Sequence, residues 1–122
     1  MEDIIYIIGL AENSTNLNLV VPDSIEGIAN IKIASYAFDG NTLIKSIDLG
    51  NSVTSVNGYA FRGNTSLRSV IIPLSCSVIK NCAFQNCSTE CKLNCIVDSK
   101  PDTWESNWNY SNCQVAWGYV RP

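Results

Sequence analysis

The sequence predicts a solenoid of short strands, in which each coil buries its apolar face only by stacking on the next. Residues 44–84 hold one 23-residue unit written twice: Ile44, Ile47, Leu49, Val53, Val56, Ala60 and Phe61 recur as Leu67, Val70, Ile72, Cys76, Ile79, Ala83 and Phe84. The register also runs backwards, because Phe38, Ala37, Tyr36 and Ile33 stand 23 positions before Phe61, Ala60, Tyr59 and Val56. A polar column of Asn41, Asn64 and then Cys87 travels with the apolar ones. A strict period of this size is the signature of a stacked repeat array.

The elements follow in order. Residues 2–9 hold an aliphatic and aromatic run, Ile4 to Ile8, with Gly9 behind it, residues 16–21 begin by alternating polar with apolar, and the turn formers of 11–15 separate them. That pattern reads as a β-hairpin capping the open first coil. Pro22, Asp23 and Ser24 turn the chain, and the next coil is expected to be irregular, because strict counting would place Asn30 in the Val53 column. In each regular unit, the stretches around Ile47 and Val70 read as short strands with alternate residues facing in and out. Val53 to Val56 and Cys76 to Ile79 return along the other side, with Gly50, Asn51 and Pro73 at the corners. Ala-Phe then marks a tight turn or a single helical turn, with Phe38, Phe61 and Phe84 in one column. An inward Asn41 or Asn64 amide would satisfy backbone groups at a corner, where no strand partner exists.

After Phe84 the pattern decays, since Glu90 falls in the Leu67 column, although Leu93 and Cys95 still fit a last strand. Asp102 is placed to cap a helical turn carrying Trp104 and Trp108 on one face. Residues 114–119 read as a closing strand. The three tryptophans form either an aromatic lid on the last coil or a Trp-lined ligand site.

The unit Asn-x-x-Leu-x-x-Val-x-Ile-Pro over 64–73, followed by x-x-Cys-x-x-Ile-x-x-x-Ala-Phe-x-x-Cys to Cys87, resembles the BspA-type leucine-rich repeat of bacterial surface proteins. The ending from Ser99 to Tyr119 also resembles the terminal segment of such arrays. The expected architecture is therefore a leucine-rich-repeat right-handed solenoid of about three to four coils, mainly β with short helical turns. It forms one domain, with a hairpin cap over 1–22, repeats over 23–95 and a Trp-rich cap over 96–122.

Composition narrows the chemistry. The 122 residues carry a formal charge of −3, which argues against a phosphate backbone as partner. Without histidine, the commonest general base is missing, and a cysteine nucleophile has no imidazole to activate it. The carboxylates are scattered, and no phosphate loop or Gly-x-Ser-x-Gly is present, so no enzymatic activity and no cofactor are expected. No apolar run approaches the length of a membrane span.

All six cysteines, Cys76, Cys82, Cys87, Cys91, Cys95 and Cys113, lie in the second part of the chain. Cys76 and Cys95 replace aliphatic residues in their columns, which favours buried free thiols over a disulfide framework for those two. A Cys95–Cys113 bridge is the disulfide that competes most directly. Cys82, Cys87, Cys91 and Cys95 are enough thiolates for zinc, but lack the paired Cys-x-x-Cys spacing.

The resemblance implies adhesion or partner recognition without catalysis, at the cell surface or in secreted form. The first residues lack a basic leader segment and a small-residue cleavage site. A spacer in a longer surface protein and an intracellular scaffold are the competing readings. If a protein or glycan partner binds, the outward side of the first strand in each unit is where it is expected: Lys45, Ser46 and Asp48, then Arg68, Ser69 and Ile71, then Lys92 and Asn94. Ile71 is expected to be the exposed apolar residue of that face.

Overall fold

The computed structural model describes residues 3–10, 15 and 17–122. Among the described residues nine short strands, β1 (Ile5–Ile7), β2 (Asn18–Val20), β3 (Ile31–Ile33), β4 (Ser46–Asp48), β5 (Val53–Val56), β6 (Ser69–Ile72), β7 (Val78–Ile79), β8 (Lys92–Cys95) and β9 (Gln114–Trp117), form two sheets. One sheet runs β1-β3-β5-β7 and the other β2-β4-β6-β8-β9, with parallel pairing throughout. The chain alternates between them, so that each coil gives one strand to each sheet. This is a parallel solenoid of about five turns, longer than the three to four coils expected, and no helix occurs among the described residues.

The extra turn comes from the N-terminus. β1 does not pair with β2: it adds to β3 (Ile5 beside Ile31, Ile7 beside Ile33), while β2 adds to β4 in the other sheet (Leu19 beside Ile47). The expected hairpin cap is thus the first coil, because Ile5, Ile7 and Leu19 extend core columns that a hairpin would abandon. Turn-forming residues suit a solenoid corner as well as a hairpin; of the turn expected over 11–15, residues 11–14 lie outside the described residues.

The 23-residue step is kept where Ser46, Ser69 and Lys92 align. It stretches to 28 between Asn18 and Ser46 and contracts to 22 between Lys92 and Gln114. The irregular early coil is as expected. Ile25 and Ile28 close a two-residue turn through Glu26 and Gly27, both at positive φ, and a register shift puts Ile31 rather than Asn30 opposite Val53. The shift keeps an aliphatic side chain in the interior.

The Ala-Phe corners are single turns. Tyr36, Tyr59 and Cys82 share a φ near 60° (60°, 59° and 59°), and Gly40, Gly63 and Asn86 form a second left-handed column. Between them, backbone bonds such as Asp39 N–H to Tyr36 O and Arg62 N–H to Tyr59 O close each turn, while Phe38 N–H to Ala60 O and Phe61 N–H to Ala83 O tie neighbouring coils together. The turn projects each Phe inward: ring centroids stand 5.2 Å apart for Phe38–Phe61 and 5.4 Å for Phe61–Phe84, nearly parallel. At the opposite corner Gly50 has φ +69°, and a Cβ there would strike the Val21 carbonyl oxygen, so glycine is required.

Asn64 fills the role expected of its column. Its buried Nδ2 donates to Phe38 O (2.8 Å) and Phe61 O (2.9 Å), and Cys87 Sγ donates to Phe61 O one coil later. Asn41 works differently, with Oδ1 accepting from the Leu43 and Ile44 N–H groups.

The C-terminal segment covers the last coil as turns, not as a helix capped by Asp102. Glu105 N–H donates to Ile79 O, Cys82 N–H to Asn107 O and Asn86 N–H to Ser111 Oγ, which together satisfy the edge beside β7. Trp104 and Trp108 are buried on the core, and Trp104 Nε1 donates to Cys76 O at 2.9 Å. They are therefore a lid; Trp117 is the exposed member of the cluster.

Candidate functional site

The outer face of the five-stranded sheet collects the residues singled out from the sequence. Strand register builds two rows across it, Asn18, Ser46, Ser69, Lys92 and Gln114, then Val20, Asp48, Ile71, Asn94 and Ala116. Lys45 and Arg68 are exposed just before their strands. Asn18 and Gln114 were missed by sequence reasoning because their spacings, 28 and 22, leave the 23-residue period.

The first row is open. Asn18, Lys92 and Gln114 are exposed and Ser46 and Ser69 half-buried, with Ser46 Oγ donating to Asn18 Oδ1 at 2.6 Å. Arg68 pairs with Glu90 at 3.1 Å with both side chains at least half exposed, a geometry that adds little stability, and its Nη1 also donates to Thr65 O and Leu67 O.

The second row is not free as expected. Asn94 is only 8% exposed, and Ile71 is half-buried between Asp48 and Asn94 rather than a projecting apolar residue. Asp48 is engaged by the C-terminal tail. The chain reverses at Gly118 (φ +67°), Tyr119 N–H donates to Cys95 O, and Arg121 reaches β4, where Nη1 meets Asp48 Oδ2 and Nη2 meets Gly50 O, both at 2.7 Å. This tail lies beyond the periodic part of the sequence, so the repeat gave no signal for it. Between tail and corner lies a groove of about 560 Å³ lined mainly by Pro73, Leu74, Ile96, Tyr119 and Val120; Leu74 is 69% exposed.

A second surface ornament sits at the Ala-Phe corner. Tyr36 and Tyr59 stack at 5.2 Å, Arg62 lies over both rings, and Arg62 forms a two-bonded pair with Asp39 (2.9 and 2.8 Å). The Arg62 guanidinium holds the Asp39 carboxyl below its usual range. Both pairs join residues 23 apart, so they brace adjacent coils.

The cysteines are all free and buried. Burial pushes the Cys76 and Cys95 thiols up to about 12, which suits their core columns. Cys82, Cys87, Cys91 and Cys95 do not converge; among the described residues no group of three or more His, Cys, Asp or Glu side chains is arranged to hold a metal ion. No helix among those residues is long and apolar enough to cross a membrane.

Comparison with known proteins agrees with the coil geometry. The family model described as BspA type leucine-rich repeat region, in six copies, matches residues 12–114. No curated protein and no solved structure gives a significant match. The match spans the strands from β2 to the start of β9, the same stretch in which parallel coils stack at a step of about 23 residues, and the chain belongs to the BspA-type leucine-rich-repeat family.

Proposed function

We propose that this chain is a non-enzymatic binding module whose open strand face takes an acidic protein partner. Repeats of this family form interaction or adhesion modules, and a flat parallel sheet presents side chains at fixed spacing to a large surface. One observation carries the choice of face. Among the described residues Lys45, Arg68, Lys92 and Arg121 lie on or beside this face with Asp48 and Glu90, although the whole chain is acidic. Asp48 is paired with Arg121 and Glu90 with Arg68, so the excess positive charge offered to a partner comes from Lys45 and Lys92 beside the exposed Arg68, with Asn18, Ser46, Ser69 and Gln114 as hydrogen-bonding neighbours. Display at the cell surface or secretion accompanies this reading, on the family resemblance.

The test compares wild type with a Lys45→Ala, Arg68→Ala, Lys92→Ala variant in pull-downs from extracellular-matrix and cell-lysate fractions, at about 50 and about 300 mM salt. Wild-type capture should fall with salt, and the variant should lose it while its stability changes by no more than about 1 kcal/mol. Equal capture by both proteins would sink the face. A spacer captures nothing specific in either form. Capture of sulfated glycans instead of proteins, with the same three-residue dependence, would keep the face and change the partner class.

A further inference from the structure

We propose that Cys91 and Cys113 form a disulfide-forming site, oxidised by a low-molecular-weight disulfide such as oxidised glutathione, which fastens the C-terminal cap to the last full coil.

Strand register brings the two cysteines face to face. β8 and β9 are parallel with Lys92 beside Gln114, so Cys91 and Cys113 stand opposite one another one position earlier. Neighbouring strands are separated by about 4.8 Å, inside the range of Cα distances that a disulfide spans. Lys92 and Gln114 are exposed, whereas Cys91 is 0% and Cys113 5% exposed, so both thiols point to the same interior side. Just before β8 the repeat is locally offset by one: Glu90, which counting places in the Leu67 column, is exposed, Cys91 turns inward in its place, and the 23-residue step resumes at Lys92 beside Ser69. The backbone holds both ends, with Cys91 N–H donating to Ser88 O and Cys113 N–H to Asn109 Oδ1.

Of the remaining cysteines, Cys87 lies near the pair but is engaged by the preceding coil, and the others are placed elsewhere. Cys95 aligns with Trp117, which removes the Cys95–Cys113 pairing that the sequence left open. Cys87 Sγ donates to Phe61 O and Cys82 Sγ to Asn81 Oδ1. Within the pair each thiol is perturbed chiefly by the other, as befits two sulfurs facing one another across a single strand step. Cys113, beside the edge strand and 5% exposed against 0% for Cys91, is the more accessible sulfur and therefore the first nucleophile.

The chemistry balances as two exchanges. The Cys113 thiolate attacks one sulfur of oxidised glutathione, and one glutathione thiolate leaves. The Cys91 thiol gives up its proton, its sulfur attacks the Cys113 sulfur of the mixed disulfide, and the second glutathione leaves. Two protein thiols are oxidised, one glutathione disulfide is reduced to two thiols, and the two protons lost by the protein end on those thiols or in solvent. Because both cysteines are buried, the first attack occurs when the cap loosens from β8.

The experiment incubates the native full chain with oxidised glutathione near pH 8, quenches with acid, blocks free thiols under denaturing conditions and sequences the cross-linked peptides by tandem mass spectrometry. The result expected is four free thiols out of six and a single Cys91–Cys113 link. The melting temperature should rise by roughly 5–15 °C, as closing a loop of this length predicts, and return on reduction. Cys113→Ser should retain five free thiols under the same treatment. Six unmodified thiols, glutathione left on Cys113 with Cys91 still free, or a link from Cys113 to Cys87 or Cys95 would each overturn the proposal.

Discussion

Phe61 sits between two other rings at 5.2 and 5.4 Å and is completely buried, so its deletion opens a cavity that neither neighbour fills by a small shift. Phe61→Ala is expected to cost about 3–5 kcal/mol in urea melts, and more than Phe38→Ala, whose ring has a stacked Phe on one side. A shift below about 1 kcal/mol would mean that the column is not a shared core. At the same scale, Cys76 and Cys95, with thiols raised to about 12, present roughly one thiolate in ten thousand molecules at pH 8. Their alkylation in the native protein should therefore be slow until denaturant is added; rapid labelling of either at pH 8 would contradict its place in the column. The residues for which the sequence spoke plainly are the ones whose chemistry is repeated: Phe, Ala and the aliphatics carry the period themselves. Asn64 was legible for the same reason. Tyr36 and Tyr59 were visible as a pair but not as left-handed residues, since a bulky side chain disfavours that conformation and the stack with Arg62 forms only once the coils are in register.

At the scale of elements, strands and corners were legible where the period is strict, and topology was misread where composition alone had to decide. The two N-terminal runs have the pattern of a hairpin, yet inward residues on both are worth more when each extends its own sheet. The alternation turned Ser46, Ser69 and Lys92 outward, as the structure has them; it could not reveal that Asp48 would be clamped, because the clamp depends on a non-repeating tail. The C-terminal lid was legible from its tryptophans. It works as an element because Trp104 inserts into the core while its neighbours Glu105 and Asn107 bond the edge beside β7. Trp104→Phe removes the indole N–H from Cys76 O and leaves a void, together about 2–3 kcal/mol. Amide exchange should then accelerate at Asn81 and Cys82, whose acceptors belong to the lid, while Phe61 N–H, bonded between interior coils, stays protected. Uniform acceleration across the chain would show that the lid does not behave as a separate element.

Over the whole molecule, stacked coils couple only to their neighbours, so an array of this kind tends to fray from its ends. The two ends differ. At the start, Tyr6, Ile8 and Val20 are exposed, Ile8 by 79%, whereas the other end carries both the tryptophan lid and the returning tail. The tail departs from nearest-neighbour coupling, because Arg121 joins the last strand's exit to β4 across 73 positions of sequence and past the ends of β8 and β6. Its two bonds, to Asp48 and Gly50 O, are half-shielded from solvent, which sets their combined contribution at about 1–2 kcal/mol after allowance for screening. Arg121→Ala should lower the melting temperature by a few degrees and raise amide exchange in β9 and β8 while leaving β3 unchanged. Asp48→Ala should reproduce much of the loss, and the double variant should be less destabilised than the two single changes added together, by a coupling of about 0.5–1 kcal/mol. Strict additivity would show that the pair carries no energy. In that case the tail rests on β4 without holding it, and the solenoid melts from its C-terminal end as a chain of neighbours alone.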